Sequence, residues 1–191
     1  MMKTYQKLLV LVAITVISSL LFSKIVYSDD DDDKWRFRWL EQSKLDVAPV
    51  NSPLYRQDCG SCHFAYQPGL LPKNSWQTIM VSLEDHFGDN AELDAQTQEK
   101  ILDYLLLNSA DESNYKRSKR IVGSLKEGKI PLRISDTPYF KHKHDEIPTR
   151  HVVNNEGVGS YSRCAACHRR AESGSYNEDE VNIPGVGRWD D

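Results

Sequence analysis

The chain has 191 residues, 39% of them apolar and 27% charged, and its 28 acidic residues outnumber its 24 Lys and Arg for a net charge of −4. An acidic surface repels a phosphate backbone, which argues against nucleic acid as a partner. The length admits one large domain or two small ones.

Residues 1–28 read as an export signal. Lys3 and Lys7 precede an apolar run from Leu8 to Phe22, broken only by Thr15, Ser18 and Ser19, and the small residue Ser28 marks a cleavage position two after Val26. The run is 15 residues long, short of the about 20 that span a bilayer. Lys24 fits the cleavage region poorly, so an uncleaved N-terminal anchor is the alternative; without one, membrane contact is transient. Cleavage would remove three lysines and no acid, leaving 21 basic against 28 acidic residues, a mature charge of −7. Residues 29–51 hold an acidic leader, Asp29 to Asp33, and an aromatic segment, Trp35, Phe37, Trp39 and Leu40, expected to pack onto the domains that follow.

Residues 52–112 read as three helices. Ser52 caps and Pro53 opens the first, which leads into Cys59-Gly60-Ser61-Cys62-His63. Between Ser75 and His86, Trp76, Ile79, Met80 and Leu83 recur at i, i+3, i+4 and i+7 as one apolar stripe. A third helix begins near Asp94 and buries Ile101, Leu102, Leu105 and Leu106. Residues 113–191 open with a charge-rich connector, Ser113 to Lys129. It is expected as a short amphipathic helix with a solvated face of Lys116, Arg117, Lys119 and Arg120, closed by Gly128. The stretch from Pro131 to His151 holds His142, His144 and His151; if it is extended, His142 and His144 point to opposite sides. Cys164-Ala165-Ala166-Cys167-His168 follows, then a polar, Gly-rich tail.

The two C-x-x-C-H motifs contain the chain's only four cysteines. On a helical turn two thiols three apart share a face, so they can add across the vinyl groups of a porphyrin while the next imidazole reaches the iron. Two covalently bound haem c groups are therefore expected, on Cys59 with Cys62 and on Cys164 with Cys167, with His63 and His168 as iron ligands. Zinc ribbons separate their halves by about 15–20 residues, whereas Cys62 and Cys164 lie 102 positions apart. Redox dithiols need a βαβ context and no following His.

For the other face of the first iron, Met80 sits mid-stripe, where Met is core filler, and His86 sits at a helix end before Phe87-Gly88; placement favours His86. The second iron needs one of His142, His144 and His151. Haem propionates add negative charge, so a basic patch on a redox partner is expected, and the connector's cations are the alternative partners of those propionates. The segments around the two motifs do not match, so duplication is not supported.

Between Pro53 and Pro184 the sequence resembles the dihaem cytochrome c family. The resemblance rests on the two haem motifs, Leu83-Glu84-Asp85-His86-Phe87-Gly88, Pro131-Leu132-Arg133-Ile134, Thr137-Pro138-Tyr139-Phe140, Lys143-His144-Asp145-Glu146-Ile147 and Val181-Asn182-Ile183-Pro184. It implies a class I cytochrome c-like domain followed by a less regular haem domain, bis-histidine irons of low potential, and His86 and His144 as sixth ligands; the doubled His142-Lys143-His144 leaves the second choice open. It also implies electron transfer to a small oxygen-binding monohaem cytochrome, with a membrane cytochrome b as the donor side.

The expected fold is mainly α, with a class I cytochrome c-like haem domain over 52–112 and a smaller, irregular haem domain over 113–191. The expected function is single-electron relay between redox proteins in a bacterial periplasm, without enzymatic activity, since haem joins C-x-x-C-H outside the inner membrane. The alternatives are a peroxidase-like dihaem enzyme, or a gas or redox sensor with a displaceable His.

Overall fold

A computed structural model describes residues 45–189; the expectations for the export signal, the aspartate run and Trp35 to Leu40 lie outside the described residues. The described chain is mainly helical, with short 3-10 turns and one two-stranded ribbon. Helix α1, Pro53–Cys59, starts where Ser52 accepts the Tyr55 N–H and Pro53 needs no partner for a missing donor. Helix α3, Ala95–Leu107, starts on the Asp94 carboxylate, which accepts the N–H groups of Gln96 and Thr97 at 3.1 Å.

Helix α2, Lys73–Met80, stops well before His86. The Ser82 hydroxyl takes the Thr78 carbonyl at 3.0 Å, while the Ser82 N–H reaches only to Ile79. A side chain thus satisfies the carbonyl that the helix ladder would have used, and the chain tightens into a 3-10 turn, Leu83–Asp85. Helix α4, Lys116–Ser124, is likewise shorter than the connector pattern suggests. Ser124 donates to the Ile121 carbonyl at 2.7 Å and accepts the Tyr139 N–H at 3.2 Å, so the helix ends against the next element and Gly128 serves a later turn.

The segment after Pro131 is partly helical. Thr137 accepts the Phe140 N–H and Pro138 opens helix α5, Pro138–His144. Helix α6, Cys164–Cys167, is a single turn holding the second cysteine pair. The ribbon pairs β1, Asn182–Ile183, antiparallel to β2, Gly187–Arg188.

Three apolar clusters organise the packing. The first joins α1, α2 and α3 through Tyr55, Trp76, Ile79, Met80, Ile101 and Leu105. The second gathers Val47, Leu70, Ile121, Ala171 and Tyr176 from both halves of the chain. The third joins Val152 and Val158 to Val181 and Ile183. The polar tail is therefore part of the core: Ile183 is fully buried.

Polar ties reinforce the second cluster. Buried Gln67 donates to the Ala171 carbonyl at 2.6 Å and accepts the Tyr176 hydroxyl at 2.7 Å. Both ends of its amide are satisfied by residues more than a hundred positions away, so its burial carries no unpaired polar group. Among the described residues no helix is long and apolar enough to cross a membrane.

Ile183→Ala should lower the stability of the holoprotein by about 2–5 kcal/mol, the cost of a buried Ile-to-Ala cavity. Val186→Ala, at an exposed position on the same ribbon, should change it by no more than about 0.5 kcal/mol. Urea unfolding followed by circular dichroism compares the two. Equal small effects would show that the tail is not core.

Candidate haem sites

The first site is built at the end of α1. Cys59 occupies the last helical turn, partly buried against the first cluster, while Cys62 and His63 are exposed in the turn after it. His63 Nδ1 lies 2.9 Å from the Phe64 carbonyl, which fixes Nδ1 as the donor and leaves the Nε2 lone pair for a metal.

His86 reaches this site on a tight turn. Its N–H donates to the Asp89 carbonyl at 2.7 Å and its carbonyl accepts the Asp89 N–H at 3.3 Å, with Phe87 at φ 59° and Gly88 at φ 103° between them. Two consecutive positive φ values are the signature of a primed hairpin turn, which suits Gly88 and strains Phe87. Asp85 accepts the Gly88 N–H at 3.0 Å, and the Arg133 guanidinium lies 4.0 Å from the Phe87 ring centre. The His63 and His86 rings face each other with centroids 6.4 Å apart and planes 26° from parallel. Met80 is buried in the first cluster, with 2% of its surface exposed, where its side chain serves as packing.

The second site reverses the order, because its facing histidine precedes the cysteine pair. His144 ends α5; its Nδ1 lies 2.9 Å from the Phe140 carbonyl, and its ring stacks on Phe140 at 3.9 Å and 12°. It faces His168 with centroids 6.2 Å apart and planes 71° from parallel. His142 lies elsewhere: two residues on a helix are about 200° apart, and its side chain is 81% exposed, 3.6 Å from Asp145. His151 packs against Trp189 at 6.0 Å. The structure thus brings His63 to His86 and His144 to His168.

His144, Cys164, Cys167 and His168 line one open-sided cleft. Ile121, Val158 and Ile183 supply apolar wall, as a macrocycle requires. Burial, aided by neighbouring His144 and Arg117 against an opposing Asp46, pushes His168 down to about 4 and keeps the imidazole neutral, the form that ligates iron. His86 is also lowered, first by burial and then by His63.

Burial raises the Cys59 and Cys164 thiols to about 11, with Asp58 adding to the shift at Cys59. A redox dithiol has a depressed thiol, the opposite of the shift at these two. Among the described residues no three His, Cys, Asp or Glu side chains gather as a metal cage. A structural zinc needs four such ligands, whereas a porphyrin iron asks at most two of the chain.

Several supporting residues are silent in the sequence. Tyr66 packs on His63 at 4.7 Å and donates to the Ser162 carbonyl at 2.6 Å, tying the first site to the approach to Cys164. Arg117, read from sequence as part of a solvated face, turns inward to line the second cleft. No local pattern marks either, since their partners are far away in sequence.

Two cysteine pairs with adjacent histidines, each facing a second imidazole, define a c-type cytochrome. A family model described as dihaem cytochrome c matches residues 55–176. Among solved structures, the dihaem cytochrome c of Shewanella baltica OS155 is 44% identical, covers 72% of this chain and 97% of its own, and superposes with a TM-score of 0.61. A dihaem cytochrome c from Rhodobacter sphaeroides is 43% identical, covers 68% of this chain and 100% of its own, with a TM-score of 0.60. A comparison with curated proteins gives no match. The chain belongs to the dihaem cytochrome c family and carries two covalently bound haem c groups, on Cys59 with Cys62 and on Cys164 with Cys167.

The His168 shift sets a pH dependence. An unfolded His takes up its proton near 6.5 and this one only near 4, so the unfolded state binds more protons between those values and stability is lost as pH falls through that window. Binding of this ring to iron, which would also require its neutral form, would act in the same direction. The urea midpoint of the holoprotein should be lower at about pH 4.5 than at about pH 7; an equal or higher midpoint contradicts the buried neutral imidazole.

Proposed function

We propose that this protein is an exported electron relay whose two irons are each closed by two histidines, His63 with His86 and His144 with His168. The carrying observation is the ring spacing. Two iron–nitrogen bonds of about 2 Å, with roughly 1.2 Å from each nitrogen to its ring centroid, give about 6.4 Å between centroids, and the pairs stand at 6.4 and 6.2 Å. The hydrogen bonds at His63 Nδ1 and His144 Nδ1 support the reading, because each orients a ring with Nε2 directed away from the backbone.

When bound, each haem supplies a one-electron couple. The chain's own part is to hold both irons closed, so that an incoming oxygen or peroxide must first displace an imidazole. That favours outer-sphere transfer over catalysis, and the protein acts as a carrier and not an enzyme. Two imidazoles in place of His and Met also keep the potentials low.

The same proposal includes a class I cytochrome c-like haem domain over 52–112 and a second haem domain over 113–191. It includes release into a bacterial periplasm by cleavage of residues 1–28, electrons received from a membrane cytochrome b, and delivery to a small oxygen-binding monohaem cytochrome. The acidic balance of the chain supports docking to basic patches, so reduction of such a partner should slow as salt screens the attraction.

The two sites should differ in their ferric electron paramagnetic resonance. Near-parallel imidazoles split the iron π-orbitals, whereas near-perpendicular ones leave them almost equal in energy and enlarge the g anisotropy. The first site, at 26°, should give an ordinary rhombic low-spin signal, and the second, at 71°, a signal of larger maximum g. A high-spin signal in the resting protein, or rapid carbon monoxide binding after reduction, would overturn the closed-iron relay.

A further inference from the structure

Arg117 lies in the wall of the second haem cleft and is largely buried. One terminal nitrogen, Nη2, donates to Asp46 Oδ1 at 3.0 Å and to the Tyr176 carbonyl at 3.1 Å. Nη1 donates to the Tyr139 hydroxyl at 3.2 Å. Its Nε–H is buried with no hydrogen-bond partner, as is His168 Nδ1 in the same cleft. A buried donor on a charged group carries its full desolvation penalty when left unpaired, so an acceptor in the cleft is implied. No hydrogen bond joins the two.

The arrangement around Arg117 is built. Asp46 accepts the Tyr176 N–H at 2.7 Å with its other oxygen, and the Asp46 and Val47 N–H groups donate to the Gly174 carbonyl. Gly174 has φ 85°, and a Cβ there would stand 2.5 Å from the Val47 carbonyl oxygen, so the close approach requires glycine. The guanidinium lies 5.6 Å from the Tyr176 ring centre and 5.8 Å from that of Tyr139, which fixes the plane of the fork.

We propose that Arg117 is a positioning residue for the second haem: its free Nε–H donates to a propionate carboxylate of that haem, and its charge raises that haem's reduction potential relative to the first. A porphyrin's own carboxylates are the acid the cofactor brings into this cleft, and a guanidinium pairs with carboxylate through a short, charge-assisted bond. Asp46 holds the fork and offsets part of its charge. The inference rests on the second haem being present and not on which residue is its sixth ligand.

The test is a redox titration of the holoprotein, with each iron followed by its own paramagnetic resonance signal, together with the resonance Raman propionate bending mode. Arg117→Gln should lower the second haem's potential by the equivalent of at least tenfold in its redox equilibrium, about 59 mV for one electron. The first haem should hold its value and the propionate mode should shift. Arg117→Lys, which keeps the charge, should shift the potential less. An unchanged visible spectrum separates this effect from a loss of iron ligation. If Arg117→Gln yields no holoprotein, Asp46→Asn serves, and the second potential should then rise because an opposing negative charge is gone. The proposal is overturned if neither variant moves the second potential, if both haems move together, or if the propionate mode is unchanged.

Discussion

An iron anchored beneath a covalently held porphyrin is closed only when a second side chain arrives from the opposite face, and that requirement organises this chain. Each C-x-x-C-H turn is local and can form on its own. A facing imidazole cannot, because a separate element must carry it to within one bond length of the same metal. In the proposed ligation the first site solves this with a primed turn at Phe87 and Gly88, the second with the C-terminal turn of α5. The two solutions share nothing beyond the motif, and the facing His follows the motif in one case and precedes it in the other.

The sites are also tied to each other. Gln67 and Tyr66 follow the first motif by a few residues and bond to the backbone on either side of the second, at Ala171 and Ser162. Asp46, before α1, reaches Arg117 and Tyr176 beside the second cleft. Such bonds fix one haem pocket relative to the other, as the proposed relay would require. Because every tie crosses a long stretch of sequence, these contacts add cooperativity that neither segment has alone.

What could be read from the sequence was what local chemistry decides. The cysteine pairs, the Ser52 cap, the start of α3 near Asp94 and the burial of Ile101 and Leu105 follow from adjacent residues, and the structure has them. The end of α2 was not legible, because Ser82 competes for a carbonyl that the apolar stripe treats as helical. Helix α5 carried a signal, Thr137-Pro138, that the surrounding charge and proline obscure. Which of the connector's cations turns inward, and the burial of Ile183, depend on partners brought in by the tertiary fold. Placement pointed to His86 and the family resemblance to His144, with His142 left open, and the structure sets those two rings opposite His63 and His168.

The central claim is that all four axial positions are imidazoles. Iron K-edge X-ray absorption on the oxidised holoprotein tests it directly, since it averages both metals and separates sulfur from nitrogen scatterers. The account predicts six nitrogen neighbours per iron near 2 Å, like other metal–imidazole bonds, with no sulfur in the first shell. A sulfur contribution at either iron, as Met80 would give, or an average coordination below six, would contradict it.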